Sequence, residues 1–278
     1  MKLVMPSLDF FGTLEQKASS SISLIDTNIA IPNFYDQNWI GIPREKFFDF
    51  LYDNCRAPGE LQKTKRAAEK YARNYFKKLE EMLNKNLNIT TVPMVIEEFR
   101  RGRQVYLNAS RVSRDKSKIG KEQFFRNLMQ AMFSVKKIIA NGLERFLLIL
   151  EGRAVYKAGC IGRRELYDEI FSEVNRKSKQ IGIESNDLST DQHLLTMAFY
   201  LSALGQTNIN IFSFDSDIIN LLKETHYKML EISKNHKCSM PSISVYKPGY
   251  RDNKFVVKEF KANGRGYSEK VVDERIQN

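Results

Sequence analysis

The order of apolar and polar positions along this chain predicts short buried strands separated by helices. The first strand is predicted at 22–25, where Ile22, Leu24 and Ile25 end abruptly at Asp26. Further strands are predicted at 88–92, 208–214 and 243–245, because β-prone or alternating apolar runs occur there. Strands that alternate with helices are typical of an α/β fold with a mainly parallel sheet.

Helices are predicted where apolar residues recur every three or four positions. They are expected at 44–55, at 60–84 and over most of 105–180, with shorter ones after Pro93, after Ser189 and after Asp215. Ser189 is followed three positions later by Gln192, which is the pattern of a capping box at a helix start.

Polarity divides the chain into three parts. Residues 1–20 are predicted to be a polar N-terminal extension, 21–248 a folded domain and 249–278 a basic C-terminal tail. In the tail, lysines and arginines alternate with aromatic residues. Three interpretations of the tail stay open: an arm that stacks RNA bases, a strand packed on the sheet, or a disordered arm.

Composition and charge narrow the class of protein. With 278 residues, 42% of them hydrophobic, the chain can bury enough apolar surface to exclude disorder over most of its length. A net charge of +11 suits a polyanion, either nucleic acid or an anionic membrane surface, although a merely basic soluble protein explains it as well. Three scattered cysteines argue against a disulfide framework or structural zinc. Because no apolar run suits a signal peptide or a membrane span, a cytoplasmic protein without a membrane partner is expected.

Carboxylates at the ends of predicted elements indicate the chemistry. Asp26 and Asp215 each follow a predicted strand, and the carboxyl ends of parallel strands face one crevice. Glu98 and Asp191 lie in the first turns of predicted helices. Carboxylates gathered from separate segments repel each other unless a cation holds them, and hard oxygen ligands suit Mg²⁺ or Mn²⁺. Such ions activate water and stabilise charge in phosphodiester cleavage, so a metal-dependent nuclease is favoured.

Each acid also has a simpler explanation. Asp215 and Asp217 could cap the helix that follows them, and Asp191 could be an ordinary first-turn acid. Glu97 could replace Glu98 as the acid that points inward. A non-cleaving nucleic-acid-binding module and a helical protein that docks an acidic partner are therefore competing hypotheses.

A cluster of arginines follows Glu98 by little more than half a helical turn, at Arg100, Arg101 and Arg103. These side chains are predicted to bind a phosphate of the nucleic acid, because guanidinium groups recognise phosphate in a bidentate manner. A charged and exposed helix end is the alternative.

Four segments resemble the four acidic motifs of the PIN-domain nucleases. In chain order they are Leu24-Ile25-Asp26-Thr27-Asn28, Val95-Ile96-Glu97-Glu98-Phe99-Arg100-Arg101-Gly102, Asp191-Gln192-His193-Leu194-Leu195-Thr196-Met197-Ala198 and Phe212-Ser213-Phe214-Asp215-Ser216-Asp217-Ile218. The resemblance implies catalytic metal ligands at Asp26, Glu98, Asp191 and Asp215, with Asp217 as an auxiliary acid. It implies supporting roles for Thr27, Asn28 and Ser213.

The resemblance also carries expectations for fold and function. It implies a three-layer α/β/α sandwich with a mainly parallel central sheet, in which helical insertions at about 44–86 and 105–180 enlarge a PIN-like domain of residues 21–248. The implied activity is an endoribonuclease that depends on Mg²⁺ or Mn²⁺ and acts in RNA processing or as a toxin. The implied partners are single-stranded or structured RNA, a second copy in a homodimer, and an antitoxin or other protein regulator.

Overall fold

The computed structural model describes residues 6–30, 58–111, 123–153, 163–183, 189–205, 208–251 and 254–275. Within these ranges the chain forms eight helices and one six-stranded sheet. It is a mixed α/β protein, as the alternation of strand and helix patterns predicts. The helix predicted at 44–55 lies outside the described residues, as do parts of the helical stretch predicted at 105–180.

The strands are short at the start of the chain and long at its end. They are β1 (Ser23–Ile25), β2 (Ile89–Thr90), β3 (Ile209–Phe212), β4 (Ile243–Arg251), β5 (Lys254–Asn263) and β6 (Gly266–Arg275). The helices are α1 (Pro6–Ala18), α2 (Thr27–Ala30), α3 (Pro58–Lys85), α4 (Pro93–Arg111), α5 (Gln123–Glu151), α6 (Arg164–Gln180), α7 (Thr190–Ala203) and α8 (Asp217–Asn235). In the ranges given above, no helix combines the length and the apolar character needed to cross a bilayer.

The sheet is mixed, with the strand order β2-β1-β3-β4-β5-β6. The strands β2, β1, β3 and β4 are mutually parallel, whereas β4, β5 and β6 form antiparallel pairs. Ile25 lies opposite Phe212, and Phe212 lies opposite Tyr246. The residues that follow β1 and β3 therefore meet at one edge of the sheet, next to the middle of β4.

The stretch predicted as a basic tail is part of the sheet. Its described residues form the end of β4 and all of β5 and β6, so the predicted boundary between residues 248 and 249 falls inside a strand. Val257, Phe260 and Ala262 of β5 are buried, and interleaved lysines conceal this apolar face in the sequence. Of the three interpretations left open, the strand packed on the sheet matches the structure.

The prediction of a polar N-terminal extension is wrong for residues 6–18, which form helix α1. Phe10, Phe11 and Leu14 are fully buried in the core. The ring of Phe10 lies 5.4 Å from that of Phe212 and 5.2 Å from that of Phe214, measured between centroids. Helix α1 thus packs against the residues that lead from β3 into the acidic edge of the sheet.

Helix α3 connects α2, at this edge of the sheet, with α5. The hydroxyl of its buried Tyr75 donates a hydrogen bond to the carbonyl oxygen of Ile29 in α2, at 2.5 Å. On its other side α3 packs against α5, where a Cβ at Gly142 would overlap the ring of Phe76. The absence of a side chain at position 142 therefore permits the close approach of the two helices.

Candidate metal centre

Asp26 is the most buried carboxylate at the edge of the sheet, with 3% of its surface exposed. Its backbone N–H donates to the carbonyl of Phe212 at 3.0 Å, which fixes it directly beyond β1. Oδ1 accepts from the backbone N–H of Thr27 at 2.6 Å and from its hydroxyl at 3.1 Å. Oδ2 accepts from Asn28 and from Ser213, both at 2.6 Å. These four bonds occupy about all of the lone pairs of a carboxylate.

Asn28 and Ser213 tie the loops after β1 and β3 together. The amide of Asn28 donates to the hydroxyl of Ser213 at 3.2 Å, and its oxygen accepts the backbone N–H of Phe214 at 2.9 Å. The hydroxyl of Ser213 also accepts the backbone N–H of Asp215 at 2.9 Å. The three residues that the resemblance assigns to support, including Thr27, are all in contact with Asp26.

Glu98 of α4 is the inward member of its glutamate pair. The hydroxyl of Thr27 lies 2.5 Å from Oε2 of Glu98, so this single proton is available to either Glu98 or Asp26. Glu97 instead lies on the exposed side of the helix, where its carboxylate is 3.4 Å from the guanidinium of Arg100. The structure therefore places Glu98, and not Glu97, beside Asp26.

Asp215 and Asp217 lie between β3 and α8. Oδ1 of Asp215 accepts the backbone N–H of Asp217 at 3.0 Å. Asp215 thus satisfies one of the unpaired N–H groups at the start of α8, which agrees with the simpler capping interpretation. Its negative charge also acts on Asp191, so capping is not its whole effect.

Asp191 lies in the first turn of α7. The predicted capping box before it is wrong, since Ser189 makes no side-chain capping bond and has a left-handed backbone with φ of 48°. Gln192 donates instead to the hydroxyl of Ser178 in α6, at 2.7 Å. A contact with a neighbouring helix has replaced the local bond that the sequence pattern favours.

The acids form one electrostatic cluster. The pKa of Asp191 is raised to about 8, first by burial and then by the negative charges of Asp26, Asp215, Glu98 and Asp217, in that order of effect. Burial, helped by the charge of Glu98, also raises the pKa of Asp26 to about 6, against hydrogen bonds that favour its ionised form. Acids from four separate segments of the chain therefore lie close enough to repel each other.

Lys247 of β4 adds a positive charge to this cluster. Burial lowers the pKa of its amine, whereas the charges of Asp215 and Asp217 raise it. The amine donates a hydrogen bond to the hydroxyl of Ser216. Lys247 is absent from the residues predicted from the sequence, although a signal exists: it lies two positions beyond the strand predicted at 243–245, close to where the other strands place their polar residues.

The donor set can be compared with what a cation requires. Across the residues that the structure describes, no three His, Cys, Asp or Glu side chains have the geometry of a metal site. At Asp26 both oxygens are turned to hydrogen-bond donors, so binding an ion would require it to release at least one of them. The chemistry of the set does fit a hard divalent ion, because all of its donors are carboxylate oxygens and because the charges of Asp26, Asp215, Glu98 and Asp217 all act on Asp191.

The arginines predicted to bind phosphate form ion pairs with glutamates. They project from α4 and pair with glutamates of α4 and α5. The pairs are Arg100–Glu151 at 2.9 Å, Arg101–Glu97 at 3.7 Å and Arg103–Glu144 at 2.7 Å. A phosphate that bound these arginines would have to displace a glutamate from each of them.

Comparisons of this chain with models of known protein families, with characterised proteins and with solved structures found no match.

Proposed function

We propose that this chain is an endoribonuclease that hydrolyses RNA phosphodiester bonds with Mg²⁺ or Mn²⁺, on a three-layer α/β/α fold of the PIN type. Asp26, Glu98, Asp191 and Asp215 would hold the ion, with Asp217 as an auxiliary acid. The observation that carries the proposal is the convergence of these acids from four separate segments, with the pKa of Asp191 raised to about 8. Such crowding is stable only with bound protons or with a cation.

The chain's own residues have separate tasks in this proposal. A bound divalent ion supplies an activated water and neutralises charge on the phosphate. Thr27, Asn28 and Ser213 orient Asp26 through the hydrogen bonds described above. Lys247 lies beside Asp215 and Asp217 and provides positive charge where a phosphate would approach them.

The substrate, setting and partners belong to the same proposal. A net charge of +11 favours a polyanionic substrate, and RNA in preference to DNA follows from the resemblance to PIN-domain nucleases. A role in RNA processing or as a toxin in the cytoplasm, a homodimeric state and regulation by an antitoxin or another protein follow from that resemblance too.

A matched pair of substitutions on α4 tests the proposal. Purified protein should cleave a labelled single-stranded RNA with Mn²⁺ or Mg²⁺ and stop when EDTA is added. Glu98→Gln should abolish cleavage, whereas Glu97→Gln, which removes the same charge one residue away on the exposed side, should leave it near the wild-type rate. Asp26→Asn and Asp215→Asn should also be inactive. Wild-type cleavage by both aspartate variants would contradict the catalytic assignment.

A non-cleaving nucleic-acid-binding module on the same fold is the second candidate, and one observation favours it. Both oxygens of Asp26 are already occupied by hydrogen bonds from Thr27, Asn28 and Ser213. This candidate predicts RNA binding that weakens steeply with salt, without cleavage under any divalent ion. It further predicts that Asp26→Asn leaves RNA affinity unchanged.

A further inference from the structure

Two surface cavities meet along helix α8. One, of about 520 Å³, is bounded by residues 181–183 after α6 and by Asp217, Asn220 and Lys223. The other, of about 680 Å³, lies between α6, α8 and Tyr267 of β6. Both cavities are lined by Lys223 and Glu224, so they lie next to each other along α8, and we call them together the α8 groove.

The α8 groove begins at the acidic cluster. Asp217, whose charge acts on Asp191, lines its first cavity. The groove then follows α8 as far as Glu231, the last residue of α8 that lines the second cavity. At about 1.5 Å per helical residue, the distance from Asp217 to Glu231 is roughly 21 Å. A groove of this length accommodates a short run of single-stranded nucleotides.

Cations gather at the far end of the groove around one buried carboxylate. Arg176 donates two hydrogen bonds to Glu173, at 2.6 and 2.8 Å. The hydrogen bond from Arg176 lowers the pKa of Glu173 against the effect of burial, and the charges of Arg176, Lys177 and Lys228 lower it further. Lys228 also pairs with Glu231 at 2.6 Å, on the exposed surface. The second cavity is thus lined by four cations and three carboxylates, which leaves a small positive excess. Because the Lys228–Glu231 pair is exposed and contributes little stability, a phosphate can take the place of Glu231 at Lys228.

An exposed aromatic ring lies among these cations. The side chain of Tyr227 is 71% exposed, and its ring is 3.9 Å from that of His226. Tyr267, on the opposite wall of the groove, lies 6.0 Å from the same histidine. The bases of a single strand stack on aromatic rings of this kind, which pack against a neighbouring ring, are open to solvent and lie next to positive side chains.

We propose that the α8 groove binds the part of a single-stranded RNA that leads away from the acidic cluster. Lys177 and Lys228 would contact its phosphates, and Tyr227 would stack on one of its bases. Cations interleaved with an exposed ring match a strand that alternates phosphates and flat bases, whereas an acidic peptide would need the cations alone. The direction of the strand rests on the proposed nuclease function, but its binding can be measured without cleavage.

The binding test is carried out in EDTA with fluorescently labelled 12-nucleotide and 4-nucleotide RNAs, by anisotropy. For the longer RNA, Tyr227→Ala should weaken binding by about tenfold. The double change of Lys177 and Lys228 to Ala should reduce the slope of log affinity against log salt by about 1.4, which is about 0.7 for each lysine that no longer binds a phosphate. Lys77→Ala, at an exposed lysine of α3 that also pairs with a glutamate, is the matched control. Equal affinities for wild type, Tyr227→Ala and the double variant would overturn the proposal.

Cleavage assays separate this inference from the nuclease proposal. With Mn²⁺, the groove variants should raise KM for the 12-nucleotide RNA far more than for the 4-nucleotide RNA, which occupies less of the groove beyond the cleaved bond. If the wild type does not cleave RNA but the groove variants lose RNA binding, the groove proposal is supported and the nuclease proposal is contradicted. If the wild type cleaves RNA and the groove variants bind RNA as well as it does, the nuclease proposal is supported and the groove proposal is contradicted. A third outcome is that poly-L-glutamate competes only when Lys177 and Lys228 are present, while Tyr227→Ala leaves RNA affinity unchanged. This result would identify an acidic peptide as the ligand and overturn the RNA assignment.

Discussion

Replacing Asp191 by asparagine removes one charge from the acidic cluster and keeps the size of the side chain. In the folded protein the pKa of Asp191 is raised from 3.8 to about 8, by burial first and by the neighbouring acids second. A group with a raised folded pKa holds its proton more tightly in the folded state. The stability that it contributes is fully present below pH 3.8 and is lost as the pH rises through 8. Ionised Asp191 therefore lowers the free energy of unfolding at alkaline pH.

The size of this effect follows from the distance between the pH and the folded pKa. Each pKa unit corresponds to about 1.36 kcal/mol, so moving from pH 5.5 to about pH 8.5 removes at most about 3 kcal/mol from the free energy of unfolding of the wild type. Asp26, with its pKa raised to about 6, shares the same repulsion and loses its proton over part of the same interval. We therefore expect the Asp191→Asn substitution to remove about half of this pH-dependent loss in the free energy of unfolding. For a chain of this length, that half corresponds to about 4 °C in Tm.

The assay is thermal unfolding of wild type and Asp191→Asn in EDTA, at pH 5.5 and at pH 8.5. The Tm of the variant, relative to wild type, should rise by about 4 °C between the two pH values. Asp168→Asn, at an exposed aspartate of α6, should show no such change. Mn²⁺ should raise the Tm of wild type at pH 8.5 and have little effect on Asp191→Asn. A difference between variant and wild type that is the same at both pH values would refute the reasoning from the raised pKa of Asp191.

Two further predictions concern the packing that surrounds the site. Gly142→Ala should reduce the free energy of unfolding by about 2 kcal/mol in urea titrations, because the added methyl group overlaps the ring of Phe76, whereas Gly152→Ala meets only ordinary contacts and should be near neutral. Phe10→Ala should cost about 4 kcal/mol in the same assay if α1 belongs to the core, and the exposed Leu87→Ala is its control. A Phe10 variant as stable as wild type would mean that α1 does not contribute to the folded domain.

The parts of the site that lie at strand ends could be predicted because their signals are local. Leu24 and Ile25, and likewise Ile211 and Phe212, form compact apolar runs that stop at a polar residue. The rule that parallel strands gather their carboxyl ends at one edge then brings Asp26 and the residues after β3 together. The choice of Glu98 over Glu97 also agrees with the structure, although it rested on the resemblance to a family.

The parts that could not be predicted depend on contacts between distant segments. Helix α1 has only a short apolar face, and its burial depends on partners such as Phe212, about two hundred residues further along. Lysines on the outer faces of β5 and β6 hide their strand periodicity, so the sequence suggested a tail. Ser189 and Gln192 fit a capping box in sequence, yet the glutamine bonds to α6. In each case a contact with a residue distant in sequence determines the local structure, and a local sequence pattern carries no information about that contact.

Two opposing effects meet at Asp26 and bear on how the site would respond to a cation. Hydrogen bonds from Ser213 and Thr27 favour its ionised form, but burial and the charge of Glu98 outweigh them, so the pKa is raised to about 6. Giving up one of these bonds to an ion would cost about 1.5–3 kcal/mol. An ion would in turn relieve the repulsion among the acids, which adds to burial in raising the pKa of Asp191. The hydrogen bonds at Asp26 thus orient the carboxylate without neutralising the cluster. A divalent cation would offset the negative charge that protons and Lys247 offset in its absence.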